Sequence, residues 1–178
     1  KANHIIYIVD NCFATPYLQQ PMKFGADLVL HSATKYIDGQ GRVLGGAILG
    51  KAEYVELCYD YVRRTGASLS PFNAWVLSKS IETLAIRMDR HCENAEKLSQ
   101  FLESQDEITS VVYPHAKNHP QFDLAKRQMR LGGGLVGCEL KGGAQRGARF
   151  LNALKLHSLT ANLGDTRTIA THPASTTH

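Results

Sequence analysis

No stretch of the 178-residue sequence approaches the roughly 18 consecutive apolar residues that a bilayer-spanning helix needs. No run of five like charges occurs either. The 20 Lys and Arg are interspersed with 16 Asp and Glu, leaving a net charge of only +4. Neither a nucleic acid nor a membrane surface is therefore expected as a partner. The first residues also lack the charged start and apolar core of a signal peptide. Cysteine is sparse and scattered: Cys12, Cys58, Cys92 and Cys138 form no CxxC pair. That spacing does not fit a zinc site, and it reads as reduced thiols in a cytoplasmic protein. Gly132-Gly133-Gly134 has no GxGxxG or G-K-S/T frame around it, so a tight turn before a strand is expected there rather than a phosphate loop.

What is present suffices for a core, with 43% hydrophobic and 20% charged residues. Ile5-Ile6-Tyr7-Ile8-Val9 is a continuous apolar run closed by Asp10, the pattern of a strand buried on both faces. Leu28-Val29-Leu30 is a second short strand, leading into His31-Ser32-Ala33-Thr34-Lys35. A glycine-rich stretch (Gly39, Gly41, Gly45, Gly46) precedes a third strand at Ala47-Ile48-Leu49. Short apolar strands with connecting segments predict an α/β sheet, with polar groups gathered beyond its strand ends. Ser70-Pro71 predicts a helix start, serine as cap and proline in first place. Leu77, Ile81, Leu84, Ala85, Met88, Cys92, Ala95, Leu98 or Ser99, and Leu102 then share a face. No Gly or Pro interrupts Phe72 to Glu103, which predicts one very long helix or two joined by a kink. Strands at Ile108–Val112 and Leu135–Leu140, and a helix over Ala144–Leu154, predict a small α+β unit. The expected boundary lies inside the long helix, dividing residues 1–92 from 93–178. His115 and His119 are bracketed by Pro114 and Pro120 and predict a solvated loop, not a metal pair. Both ends, at Lys1 and at Thr177-His178, read as internal to a longer protein.

The residues at two strand ends form a chemical set. A pyridoxal-phosphate site needs a lysine amine to hold the aldehyde and carry protons. It needs a carboxylate facing the ring nitrogen, and donors for the phosphate. Asp10 supplies the carboxylate, and its charge at the end of a buried strand calls for a cationic partner. Ser32 and Thr34 alternate after the second strand, so both hydroxyls are expected on one side, and Lys35 follows directly. The glycines beyond would let backbone approach the cofactor closely. Ser32-Ala33-Thr34-Lys35 also fits the S-x-x-K pattern of serine acyl enzymes, but their S-D-N and K-T-G partners are missing. A binding module retaining the fold without chemistry would have no need for the Asp10 and Lys35 pair.

Val9-Asp10-Asn11-Cys12-Phe13-Ala14-Thr15-Pro16 and His31-Ser32-Ala33-Thr34-Lys35-Tyr36 resemble the two signature segments of the Cys/Met-metabolism family of fold-type-I pyridoxal-phosphate enzymes. Gln20-Pro21, Gly25-Ala26-Asp27 and Thr171-His172-Pro173-Ala174-Ser175-Thr176-Thr177-His178 also fit. Lys35-Tyr36-Ile37-Asp38-Gly39-Gln40-Gly41-Arg42, Ser70–Trp75 and Ala161–Asp165 are most similar to the O-succinylhomoserine sulfhydrylase branch. The resemblance implies the C-terminal part of a fold-type-I large domain followed by a truncated small α+β domain. It implies that Lys35 carries pyridoxal 5'-phosphate as a Schiff base, that Asp10 pairs with the ring nitrogen, and that Ser32 and Thr34 bind the phosphate. Asn162 stands where the family contacts the Schiff-base lysine or the substrate carboxylate. The implied reaction is γ-replacement on an O-acylhomoserine by sulfide to give homocysteine, in a homotetramer. O-acetylhomoserine sulfhydrylase, cystathionine γ-synthase and γ-lyase are the neighbouring alternatives. The ring-stacking tyrosine, the phosphate loop and the carboxylate-binding arginine of the family have no counterpart in these residues, so the piece alone is expected to be inactive.

Overall fold

Strands form where the apolar runs place them. In the computed structural model, which describes residues 5–176, β1 (Ile8–Asp10), β2 (Leu28–Ser32) and β3 (Gly46–Gly50) make one sheet in that order. Lys1 and the Thr177-His178 end of the last motif lie outside the described residues. β1 and β2 run parallel with Asp10 opposite Leu30, while β3 is antiparallel with Gly46 opposite Ser32. The parallel pair brings the ends of β1 and β2 out at one edge of the sheet, where α/β folds place their ligands.

The expected double-sided burial of the first strand does not hold. Ile8 is 50% exposed, and Ile5, Ile6, Tyr7 and Asp10 are open as well. The run is apolar enough to be buried, but β1 is the sheet edge and no described element covers it. β2, in the middle, buries Leu28, Val29 and His31.

Beyond Ser32 the chain enters a wide helical turn, Ala33–Ile37, closed by Asp38 N donating to Ala33 O at 2.9 Å. Strand alternation therefore stops at Ser32 and does not extend to Thr34, contrary to the expected common side. A helical turn rotates successive side chains by about 100° rather than 180°.

α1 (Thr15–Leu18) is a single turn after β1, and α2 (Ala52–Thr65) ends on a left-handed Gly66. α3 (Pro71–Ile81) begins as expected, with Ser70 Oγ accepting from Asn73 N at 3.1 Å and Pro71 in first place. It breaks at Glu82-Thr83 before α4 (Leu84–Glu103), so the long apolar pattern is two helices. The break rotates the buried stripe. Leu77, Leu84, Met88, Cys92, Ala95 and Ser99 are buried, whereas Ile81 is 53% exposed and Ala85 is also open.

Two clusters grip the turn after β2. Tyr36 packs with Leu18, Leu84, Met88 and Cys92, and Ala33 and Ile37 pack with Val43, Val76 and Leu77. Met88 is completely buried, a contribution of about 1.5–3 kcal/mol from its side chain. In the second half, β4 (Ile108–Val112) pairs antiparallel with β5 (Gly137–Leu140), with α5 (Phe122–Gln128) between them in sequence. Tyr113 ties β4 to α4 through Ala95. α6 (Gly143–Ala153), the short parallel pair β6 (Ser158–Leu159) and β7 (Ile169–Ala170), and α7 (Pro173–Thr176) complete the described chain. No described helix is long and apolar enough to cross a membrane.

Candidate active site

The tip of β1 is built by side chains that hold the backbone in a tight reversal. Asn11 is 2% exposed, and its Nδ2 donates to Thr15 O at 3.1 Å and Gln19 O at 2.9 Å. Thr15, fully buried, takes a φ of +63°, a conformation that costs an L-residue about 1–2 kcal/mol. This reversal leaves Asp10 at the open end of the strand. Cys12 N donates to Asp10 Oδ1 at 3.0 Å, and its thiol also hydrogen-bonds that carboxylate. These two bonds, thiol first, hold the Asp10 carboxyl below its ordinary value, with nearby His31 adding a smaller effect. The Cys12 sulfur in turn accepts from Ser32 N at 2.7 Å, so one residue links the tips of β1 and β2.

Lys35 leaves the neighbouring tip. Its Nζ donates to Asn162 Oδ1 at 2.8 Å, across 127 residues of sequence. Gly164, at φ +86°, makes that approach possible: a Cβ there would stand 2.5 Å from Tyr36 N and 2.7 Å from Lys35 C. Burial is the main cause that pushes the Cys12 thiol up from its ordinary value, and the nearby charges of Asp10 and Lys35 act on it in opposite directions. Thr34 Oγ1 accepts from Gly45 N at 3.1 Å and donates to Gly45 O at 3.3 Å, so its one proton is already engaged. The Ser32 hydroxyl makes no hydrogen bond among the described residues.

A cavity of about 590 Å³ opens beside the tip of β1, walled by Asp10, Asn11, Phe13, Met129 and Gly132–Gly134. Its size suits a small cofactor and substrate. Of the expected site residues Asp10 lines it, whereas Lys35, Ser32, Thr34 and Asn162 do not.

The glycines do different work from that expected. The space beside Gly39 is filled by the Arg87 guanidinium, and a Cβ on Gly45 would meet Leu77 at 2.9 Å. Gly132 and Gly134 likewise admit Tyr113 and the Tyr36 hydroxyl, so close packing joins the left-handed turn at Gly133 (φ +88°). Arg42 folds back on Asp38, at 3.0 Å, and on Ser80 Oγ, at 2.6 Å, which makes it part of the turn's support. The expected solvated loop at His115 is partly corrected: the residue is half-buried, its Nε2 is buried without a hydrogen-bond partner among the described residues, and it lines a small cavity with Tyr113 and residues of α4. Sequence reading missed Arg87 and Gly164. An arginine directly beside the buried stripe of α4 and a glycine two residues after Asn162 were the available signals.

The family model described as "Cys/Met metabolism PLP-dependent enzyme" matches residues 1–178. The chain belongs to this family. Among curated relatives, an O-succinylhomoserine sulfhydrylase of Pseudomonas aeruginosa is 49% identical over 177 residues, covering 99% of this chain and 44% of that protein. An L-methionine gamma-lyase of Treponema denticola is 44% identical, over 96% of this chain and 43% of its own length. A solved cystathionine gamma synthase of Xanthomonas oryzae pv. oryzae, in complex with aminoacrylate and cysteine, superposes with a TM-score of 0.95 at 37% identity. That superposition covers 98% of this chain and 46% of the synthase chain. The chain thus spans somewhat under half the length of these family members, and its fold is the corresponding part of a fold-type-I enzyme.

The residues present fit the family's cofactor. Asp10 offers a low-pKa carboxylate that no described Lys or Arg neutralises, the acceptor a protonated ring nitrogen requires. Lys35 Nζ ends against the neutral amide oxygen of Asn162 and not a carboxylate. Ser32 keeps a hydroxyl to give.

Proposed function

We propose that the full protein containing this chain replaces the γ-substituent of an O-acylhomoserine, with succinate as the group lost, by sulfide to give homocysteine. Lys35 would hold pyridoxal phosphate through Nζ, Asp10 would face its ring nitrogen, and Ser32 and Thr34 would bind its phosphate, Thr34 by turning its proton from Gly45 O to the phosphate. When bound, the cofactor supplies a cationic ring that draws electrons from the substrate's α-carbon. Asp10 keeps that ring protonated by staying ionised. Lys35 Nζ, oriented by Asn162, takes the α-proton and delivers protons along the substrate chain. Asn162 accepts a hydrogen bond from the amine and so sets the direction of its lone pair. The boundary inside α4 near residue 93, a homotetramer and a cytoplasmic location belong to the same reading.

The single observation carrying it is the Lys35 Nζ to Asn162 Oδ1 contact at 2.8 Å, on the turn that follows β2, whose parallel neighbour β1 ends in Asp10. The sulfhydrylase likeness at 49% identity favours the replacement. Methionine γ-lyase relatives at 44% to 47% identity support a second reading, elimination from methionine. The deciding assay gives the full-length protein sulfide with O-succinyl- or O-acetylhomoserine, and separately methionine alone. Homocysteine from the succinyl ester is the expected product; thiol release from methionine at a higher rate would establish the lyase instead. Lys35→Ala should lose all borohydride-trapped cofactor, and trapping at a different lysine would refute the site.

A further inference from the structure

Lys35 sits in a turn that its own backbone bonds do not fully hold. Its φ of −84° and ψ of −128° leave the helical region within an otherwise helical turn. The carbonyl oxygens that follow it are taken up by a side chain from α4. Arg87 Nη1 donates to Tyr36 O at 2.6 Å, and Nη2 donates to Ile37 O at 3.2 Å and to Ser80 O at 3.0 Å. Nε completes the fork on Thr83 Oγ1 at 3.1 Å. No described carboxylate ion-pairs with this guanidinium, and burial beside Arg42 disfavours its charge. A half-buried cation spent on carbonyls is costly unless the geometry it fixes has a use. A planar fork suits converging carbonyls, and a lysine could not reproduce it. Gly39 is shaped to the same contact, since a Cβ there would strike the guanidinium. The adjacent Met88, fully buried against Tyr36, anchors the helix that carries Arg87.

We propose that Arg87 is a positioning residue: it fastens the main chain immediately after Lys35 and thereby aims the Lys35 amine at Asn162. The proposal rests on Lys35 being the reactive lysine. Arg87 touches neither the amine nor Asn162, so its influence passes entirely through the backbone of residues 36 and 37.

The test compares Arg87→Gln and Arg87→Lys with the wild type in the full-length protein. Three quantities are read: cofactor dissociation constant from visible absorbance without substrate, the rate of borohydride trapping at Lys35, and kcat separately from KM. In the glutamine variant, kcat should fall about 100-fold, the cost of a ~1 Å misplacement at a reacting group, with KM little changed. Cofactor affinity and trapping rate should fall with it, and guanidinium ion added to Arg87→Gly should restore part of the turnover. A glutamine variant that is less stable yet, once saturated with cofactor, turns over and traps like the wild type would overturn the proposal. If that variant does not fold, Arg87→Lys carries the same comparison, because an ammonium cannot span both carbonyls. Wild-type trapping at a lysine other than Lys35 would instead sink the underlying site, so the two failures are distinct.

Discussion

Replacing Gly164 by alanine separates packing from chemistry at the heart of the site. At φ +86° an alanine would pay about 1–2 kcal/mol for the left-handed backbone alone. Its methyl would also press on Tyr36 N at 2.5 Å and Lys35 C at 2.7 Å, which are backbone atoms that cannot step aside as a side-chain end could. Overpacking of that kind costs about 1–3 kcal/mol. Together the two effects come to about 2–5 kcal/mol. The cheapest relief moves the 161–165 segment off the lysine turn, taking Asn162 Oδ1 away from Nζ. Urea unfolding of full-length Gly164→Ala should therefore show a loss in that range, and borohydride trapping at Lys35 should slow in the same protein. An unfolding free energy within about 0.5 kcal/mol of wild type, the scatter of an indifferent surface change, would refute the reasoning.

Three other outcomes follow from the same geometry. Asp10→Asn should keep some cofactor yet lose about 3 kcal/mol of transition-state stabilisation, read as a hundredfold or greater drop in kcat/KM; near-normal turnover would mean another group faces the ring nitrogen. Met88→Ala empties a fully buried site between Tyr36 and Leu84 and should cost about 2–5 kcal/mol in urea unfolding. Asp165, whose side chain is 3% exposed, accepts from Arg167 Nη2 at 2.7 Å, and the Arg167 side chain is the leading reason its carboxyl lies below the ordinary range. A depressed folded pKa means this support is complete above about pH 3.9 and disappears as pH falls through the folded value. Asp165→Asn should accordingly flatten the acid end of the stability profile, and an unchanged slope below pH 4 would contradict the pairing.

The local grammar of the chain was readable because it depends on neighbours in sequence. The Ser70-Pro71 cap follows from such neighbours, while the long apolar run left one helix or two open and the structure breaks it at Glu82-Thr83. The pairing of Asn162 with Lys35 came from family likeness, since nothing in the sequence indicates it across a separation of 127 positions. Burial was less legible. Ile5–Val9 is apolar enough for an interior strand, but coverage is a property of what packs against it, and β1 lies at the sheet edge. The alternation assigned to Ser32 and Thr34 failed because the wide turn begins one residue after Ser32. Arg87 escaped notice for a physical reason: a charged residue one place off a buried stripe normally faces water, and only the folded turn supplies carbonyls for it to bind.

α4 is a single unbroken rod about 30 Å long, since its 20 residues each rise about 1.5 Å. Its first turns clasp the lysine turn through Arg87 and Met88, and its later turns carry Tyr113 against Ala95. There is no loop between these holds to absorb motion. The β4–β5 ladder and the turn that carries Lys35 thus rest on the same helix.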